Sequence, residues 1–264
     1  MKIFLVASLL FITGFNITPE NVNMSMPGAY KMLYQSVKGE KLDNTSTTLQ
    51  QLKIYTDGYM MYANFNPQDS SSSFGIGTYS TNNNGVVENV IYSASGADKN
   101  ENPASFKLVI EKTGKGYKQI IPDMQMQDQK ITLTEEYESV GTGAKSPLDG
   151  AWKETRGYSQ MGNETKVSNI TQFKTYYAGH VIWGHNYTDS VNKTHTGIGF
   201  GAFKMTGNNK LKESMMVSNY EEVRGKDFDI DIKMNGSNEF TQTIYYKDGS
   251  KSVEVYQRLK KKNI

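Results

Sequence analysis

The chain has 264 residues, a formal net charge of +2 and no cysteine. This length suffices for one large or two small domains, and the charge is too small to recruit nucleic acid or anionic lipid. The lack of cysteine excludes disulfides, zinc–thiolate sites and a cysteine nucleophile. The 17 tyrosines, 11 phenylalanines and 24 glycines favour strands and turns over helices.

The first segment has the pattern of a secretory leader. Met1 and Lys2 precede an apolar run over 3–15, a short positive region followed by an apolar region of the expected length. About 13 apolar residues are too few to cross a hydrocarbon core of ~30 Å. We therefore expect a signal peptide over 1–20, a secreted or periplasmic protein, and no stable membrane insertion once the leader is removed.

After the leader, the sequence repeats at an interval of about 120 residues. Five segments of the first copy return in the second: 28–31 as 150–153, 51–62 as 172–183, 75–79 as 199–203, 106–110 as 228–232, and 135–140 as 254–259. The segment 141–147 between the copies contains glycines and a proline, which is typical of an exposed linker. The repeat predicts two domains, 27–141 and 149–260.

Within each copy, apolar residues alternate with polar ones. Phe228, Ile230 and Ile232 are separated by Asp229 and Asp231, so one face of a strand points inward and the other meets water. Turn signals about every 10–15 residues predict roughly seven or eight antiparallel strands per copy, with a short helical or irregular segment around 44–50. Because an open sheet would expose its edges, we expect an all-β fold of two tandem antiparallel up-and-down β-barrels of about eight strands each. The alternative is a β-sandwich.

The order of these motifs resembles the lipocalin or calycin superfamily, and more closely the compact lipocalin-like domains of secreted bacterial proteins. The similarity rests on Gly150-Ala151-Trp152 at the start of a domain, the hairpin 53–62, the glycine-rich strand 75–79 and the ending 254–258. It covers both copies and so nearly the whole chain after the leader.

This resemblance implies a structural closure at one end of each barrel. Trp152 would pack under the barrel, with Arg258 across its indole, a contact that cation–π attraction stabilises. The first copy has Tyr30 and Ser139 at these positions, which implies a different closure there. In an alternative interpretation, Tyr256 and Arg258 face the cavity together and hold a carboxylate, as in fatty-acid-binding relatives.

No catalytic pattern is present in the sequence. We find no Ser-His-Asp order, nucleophile elbow, phosphate loop or metalloprotease helix. His185 and His195 would meet if a hairpin joined their strands, but a metal site usually needs three or four ligands, so polar strand histidines are the simpler interpretation. The glycines at 75–77 and 197–201 indicate bends or close backbone approach in a barrel strand. We expect no catalysis, no cofactor and no metal.

The resemblance and the strand pattern imply that a small, largely apolar molecule is held inside one or both barrels. The candidate ligand-binding residues are Tyr55, Tyr62, Tyr79, Tyr176, Trp183, Phe203 and Tyr256. The alternative is a non-catalytic interaction module, with barrels filled by their own side chains and loops that contact a protein or glycan. Nucleic acid is not an expected partner.

Overall fold

The computed structural model describes residues 25–82, 85–97, 104–126, 128–141 and 143–260. Over these ranges the chain forms nineteen β-strands. The described residues contain no helix that is long and apolar enough to cross a membrane. The predicted signal peptide, residues 1–20, lies outside the described residues.

Barrel 1 is formed by the first ten strands. They are β1 Gly28–Gly39, β2 Asp43–Ser46, β3 Gln50–Tyr55, β4 Tyr59–Phe65, β5 Ser72–Asn82, β6 Gly85–Ser93, β7 Gly96–Ala97, β8 Ala104–Lys112, β9 Gly116–Met126 and β10 Gln129–Ser139.

Eight of these strands close into a barrel in the order β1-β3-β4-β5-β6-β8-β9-β10. The last strand returns antiparallel to the first, with Tyr30 opposite Ser139. Short strand β2 pairs with the second half of β1, and β7 pairs with β6. Residues 44–46 therefore belong to a strand, where the sequence predicted a helical or irregular segment, and only 47–49 are irregular.

Barrel 2 repeats this architecture in the second half of the chain. Its strands are β11 Gly150–Met161, β12 Glu164–Val167, β13 Ile170–Tyr177, β14 His180–Thr188, β15 Thr194–Gly207, β16 Lys210–Ser218, β17 Lys226–Met234, β18 Glu239–Tyr245 and β19 Lys251–Arg258. Strand β12 is an extra strand on β11, and β19 closes the barrel on β11 with Arg258 opposite Trp152. The predicted pair of eight-stranded barrels is confirmed, and pairing of first and last strands rules out the sandwich.

Both barrels bend at equivalent bulges. The register shifts between Ile76 and Gly77 in β5, and between Phe200 and Gly201 in β15. A Cβ on Gly201 would lie 2.9 Å from the backbone nitrogen of Met216 and nearer still to a carbonyl oxygen of β16. Glycine is needed here because the neighbouring backbone occupies the space of a side chain.

One end of barrel 2 is closed by Trp152 and Arg258. The guanidinium carbon lies 4.0 Å from the indole ring centroid, and Nη2 donates to the carbonyl oxygen of Pro147 at 2.9 Å. The Trp152 Nε1 donates to the carbonyl oxygen of Leu148 at 2.7 Å. These contacts place Arg258 at the outer edge of the barrel, away from the residues that line its interior cavity.

The closure of barrel 1 is uncharged. Tyr30 donates its hydroxyl hydrogen to the carbonyl oxygen of Met26 at 3.1 Å, across the same sequence separation as the Trp152 bond. Its ring packs edge-on against Tyr117, with ring centroids 4.9 Å apart. A tyrosine and its aromatic neighbours thus fill the place that tryptophan and arginine fill in barrel 2.

The barrels pack side by side through equivalent strands, β3 to β5 against β13 to β15. One buried apolar cluster contains residues of both barrels, among them Ile54, Met61, Phe74, Phe173 and Ile182. Both faces of these strands are therefore buried, one inside a barrel and one against the other barrel.

Candidate binding site inside the barrels

Strand β13 directs polar side chains into barrel 2. Phe173 packs in the cluster between the barrels, and the Thr175 hydroxyl contacts a methionine sulfur of barrel 1. Because side chains alternate along a strand, Gln172 and Lys174 point inward, where both are buried. A polar layer therefore crosses the interior of the barrel.

The centre of this layer is a chain of charged and amide groups. Lys174 Nζ lies 3.3 Å from Glu213 Oε1 and donates to Gln242 Oε1 at 3.0 Å. Gln242 Nε2 donates in turn to Glu254 Oε2 at 2.8 Å. Strands β13, β16, β18 and β19 each contribute one group, and the pairing offsets much of the cost of burying the charges.

Two buried tyrosines hold the carboxylates of the layer. Tyr176 donates its hydroxyl hydrogen to Glu213, and Tyr256 donates to Glu254. Burial, reinforced by the neighbouring carboxylates, raises the pKa of both tyrosines well above the usual value. Both hydroxyls therefore remain hydrogen-bond donors at neutral pH.

Barrel 1 contains the same layer. Lys53 Nζ lies 2.7 Å from Glu88 Oε1 and donates to Gln119 Oε1 at 3.0 Å. Gln119 Nε2 donates to Glu135 Oε2 at 2.6 Å, and the Tyr137 hydroxyl donates to the same oxygen at 2.8 Å. The lysine, glutamates, glutamine and tyrosine of one copy thus have counterparts at equivalent strand positions in the other.

Each polar layer borders an interior cavity, of about 250 Å³ in barrel 2 and about 160 Å³ in barrel 1. The remaining walls of cavity 2 include Trp183, Met215, Tyr220, Phe228, Ile244 and Tyr246. Those of cavity 1 include Tyr62, Val90, Phe106, Ile121, Met124 and Leu133. Each cavity therefore combines a charged, hydrogen-bonded floor with apolar and aromatic walls.

Three stacked rings form one wall of cavity 2. The Trp183 ring lies nearly parallel to those of His185 and Tyr220, with centroid separations of 5.5 and 6.2 Å. His185 Nδ1 donates to Gln172 Oε1 at 2.9 Å, because an amide oxygen only accepts, and Nε2 then accepts from the Tyr220 hydroxyl at 2.9 Å. Burial lowers the pKa of His185 to about 4, so the ring is neutral at neutral pH.

The barrels differ at two positions of their first strands. Met32 corresponds to Glu154, and Gln35 corresponds to Gly157, by their register against the last strand. Gln35 Nε2 donates to Glu135 Oε1 at 2.8 Å, and barrel 2 has no side chain at the equivalent position. The Glu154 carboxyl occupies part of the space that a side chain at 157 would need.

Glu154 is the most perturbed acid of barrel 2. It is 8% exposed, and its Oε2 is one of three buried side-chain polar atoms without a hydrogen-bond partner in the described part of the chain. Burial, followed by the charge of Glu254, raises its pKa to about 8, against the opposing effect of Lys174. Glu154 is therefore mostly protonated at neutral pH.

The aromatic residues predicted to bind a ligand fall into two groups, those that line the cavities and those that are fully buried around them. Tyr62 and Trp183 line the cavities. Tyr55, Tyr176 and Tyr256 are fully buried, and their hydroxyls donate to carboxylates of the polar layers. These three residues hold the floor in place, while the two lining residues form walls.

The remaining predicted residues, Tyr79 and Phe203, pack against two of these buried tyrosines. Tyr79 packs edge-on against Tyr55 at a centroid separation of 4.9 Å, and Phe203 against Tyr176 at 5.0 Å. Neither is among the residues that line the two cavities.

Sequence reasoning did not single out the polar layer as a candidate site. The available signal was the repeat itself, since Gln51 and Lys53 recur as Gln172 and Lys174, two residues apart in both copies. A lysine at an inward position of both copies requires a buried partner in both, and this requirement points to the interior glutamates.

The histidines of barrel 2 are not brought together. The register pairs His185 with Gly197 and His195 with Tyr187, so the two rings are not cross-strand neighbours. His195 Nε2 instead lies 2.7 Å from Asp189 Oδ2. Across the described ranges, no group of three histidine, cysteine or acidic residues is placed to hold a metal ion.

Comparison with known proteins gives a structural likeness at low sequence identity. No protein-family model and no curated protein matches the chain. A solved structure of a protein of unknown function from the DUF3598 family, from Nostoc punctiforme, matches over 88% of this chain and 96% of its own, with 9% identity and a TM-score of 0.27. By its own topology, the tandem of two closed eight-stranded antiparallel barrels fits a lipocalin-like fold.

Proposed function

We propose that this protein binds a small, largely apolar molecule inside barrel 2. The observation that carries the proposal is the cavity of about 250 Å³, with its aromatic walls and polar floor. Ligand sites commonly combine apolar walls, which supply affinity, with a few fixed polar groups, which orient the ligand. Cavity 2 has this composition, and we propose no chemical turnover there.

The cavity volumes limit the size of the ligand. Pockets that bind drug-sized ligands measure roughly 300–1,000 Å³, and cavity 2, at about 250 Å³, is slightly smaller than this range. We therefore propose a compact molecule with one ring or a short chain, in place of a long lipid. The cavity of about 160 Å³ in barrel 1 favours a mainly structural role for that barrel.

We further propose that binding takes place outside the cytoplasm and that the domains belong to the calycin superfamily. The first part rests on the leader pattern of residues 1–20. The second rests on the repeated motifs and on the barrel closure with Trp152 and Arg258.

Native mass spectrometry of the protein purified from its own host, followed by denaturing extraction, tests the binding proposal. We expect a stoichiometric small molecule in the unaltered chain. The variant Met215→Trp fills cavity 2 and should abolish this mass, whereas Val90→Trp, at the equivalent position of cavity 1, should retain it. Equal loss in both variants, or equal retention, would contradict a site in barrel 2.

The second candidate function is an interaction module with filled barrels. The small volume of cavity 1 is the observation that favours it. A clean ligand-free mass, together with no response of tryptophan fluorescence to small aromatic and aliphatic molecules, would support this alternative over the binding proposal.

A further inference from the structure

A side chain of barrel 1 indicates which chemical group is absent from barrel 2. Glu135 receives a hydrogen bond on each oxygen, and the donor to Oε1 is the amide nitrogen of Gln35. At the equivalent carboxylate of barrel 2, Glu254, the hydrogen bonds from the described residues all end on Oε2. Since Gly157 replaces Gln35, barrel 2 lacks an N–H donor for Oε1 of Glu254.

The charges around cavity 2 favour a cation at this position. The lining contains one lysine against two glutamates, and Lys174 already pairs with Glu213. Glu254 has no ion-pair partner among the described residues, and the buried carboxyl of Glu154 lies close enough to feel its charge. A second anion would add repulsion in this partly buried site, whereas a cation would offset the excess negative charge.

The walls of the cavity suit an organic cation. Trp183, Tyr220, Phe228 and Tyr246 line it, and aromatic faces attract ammonium groups in addition to burying apolar surface. An ammonium group presents three N–H donors and so provides the hydrogen bond that Gln35 provides in barrel 1.

Building on the proposed binding function, we propose that the ligand of barrel 2 is a small primary amine. Its ammonium group binds Oε1 of Glu254, and its short aromatic or aliphatic body packs against Trp183 and Tyr220. The inference names the chemical class of the ligand, and it can fail while binding in barrel 2 still holds.

Three probes that share one body but differ in charge provide the test. The full chain is titrated calorimetrically at neutral pH with 2-phenylethylamine, with 2-phenylethanol and with phenylacetate. We expect the amine to bind about 10-fold more tightly than the alcohol, because a charge-assisted hydrogen bond replaces a neutral one. We expect phenylacetate to bind more weakly than either.

Matched variants assign the preference to barrel 2. Glu254→Gln should reduce the ratio of amine to alcohol affinity to about one, with the alcohol affinity changed by less than about threefold. Glu135→Gln, the same change in barrel 1, should leave the ratio unaltered. If Glu254→Gln does not fold, Glu154→Gln serves as a second variant. Because Glu154 is mostly protonated at neutral pH, this change removes little charge, but its amide adds N–H donors near Glu254, and a reduced but persisting preference is expected.

The outcomes separate this inference from the binding function. Tighter binding of the alcohol or of phenylacetate would overturn the ammonium assignment and leave binding in barrel 2 intact. A ratio that falls with Glu135→Gln and not with Glu254→Gln would move the site to barrel 1 and overturn it as well. If none of the probes binds, the ammonium inference fails, while mass spectrometry of the host-purified protein decides the binding function separately.

Discussion

At the scale of single residues, Glu154 gives barrel 2 a pH response that barrel 1 lacks. Its pKa is raised from the ordinary value of 4.5 for a glutamate to about 8, first by burial and then by Glu254 of β19, while Lys174 of β13 acts in the opposite direction. Between these two pH values the folded chain holds a proton that the unfolded chain has released. The free energy of unfolding therefore decreases as the pH rises from 4.5 to about 8.

Replacing Glu154 by methionine, the residue at the equivalent position of barrel 1, should remove this pH dependence. We expect the variant to gain stability relative to the unaltered chain by roughly 2–4 kcal/mol as the pH rises through this interval, since one pKa unit corresponds to about 1.4 kcal/mol. Urea unfolding followed by tryptophan fluorescence at several pH values measures the difference. Glu154→Gln, which keeps the shape of the side chain, should show the same loss of pH dependence. If the gain in stability of Glu154→Met is instead the same at every pH, better packing and not the loss of the titrating carboxyl explains it.

At the scale of strands, the sequence predicted where the strands lie better than it predicted which of their side chains point into the barrel. Alternation and turn dipeptides are local signals, so the strand number and barrel closure could be predicted. In β3 and β13, however, both faces are buried, and the rule that the apolar face points inward fails. Leu52 and Ile54 face the other barrel while Lys53 points inside, and this depends on a neighbouring barrel that local patterns do not encode.

The bulge in β15 is a second feature of the strand level, and it leads to a prediction. A Cβ on Gly201 would overlap the backbone of β16, so Gly201→Ala should destabilise the fold by about 2 kcal/mol and lower the melting temperature by about 4–8 °C. Gly207→Ala, where the nearest atoms lie at 3.8 Å, is the matched control and should change little. Equal melting temperatures of the two variants in thermal unfolding would contradict the close backbone approach.

At the scale of the whole molecule, the two barrels associate as two subunits of a symmetric dimer would. Equivalent strands of each copy supply the interface, and apolar contacts dominate it. Phe74 of barrel 1 packs where a Cβ on Gly184 of barrel 2 would lie, 2.5 Å from its ring. Arg224 lies over the Phe65 ring at 4.6 Å, and Asn186 donates to the carbonyl oxygen of Ser93 at 2.9 Å.

Because this interface is apolar and continuous, the linker is not required to hold the barrels together. We expect chains 25–141 and 143–260, produced separately, to assemble one to one at concentrations of about 10 µM, as analytical ultracentrifugation would measure. Phe74→Asp would bury an unpaired charge in the interface and should abolish assembly, whereas Val109→Asp, at a position 46% exposed on β8, should not. Halves that remain monomeric and folded would mean that the linker supplies the association through effective concentration. Assembly would instead show that side-chain packing between the barrels is sufficient to hold the two halves together.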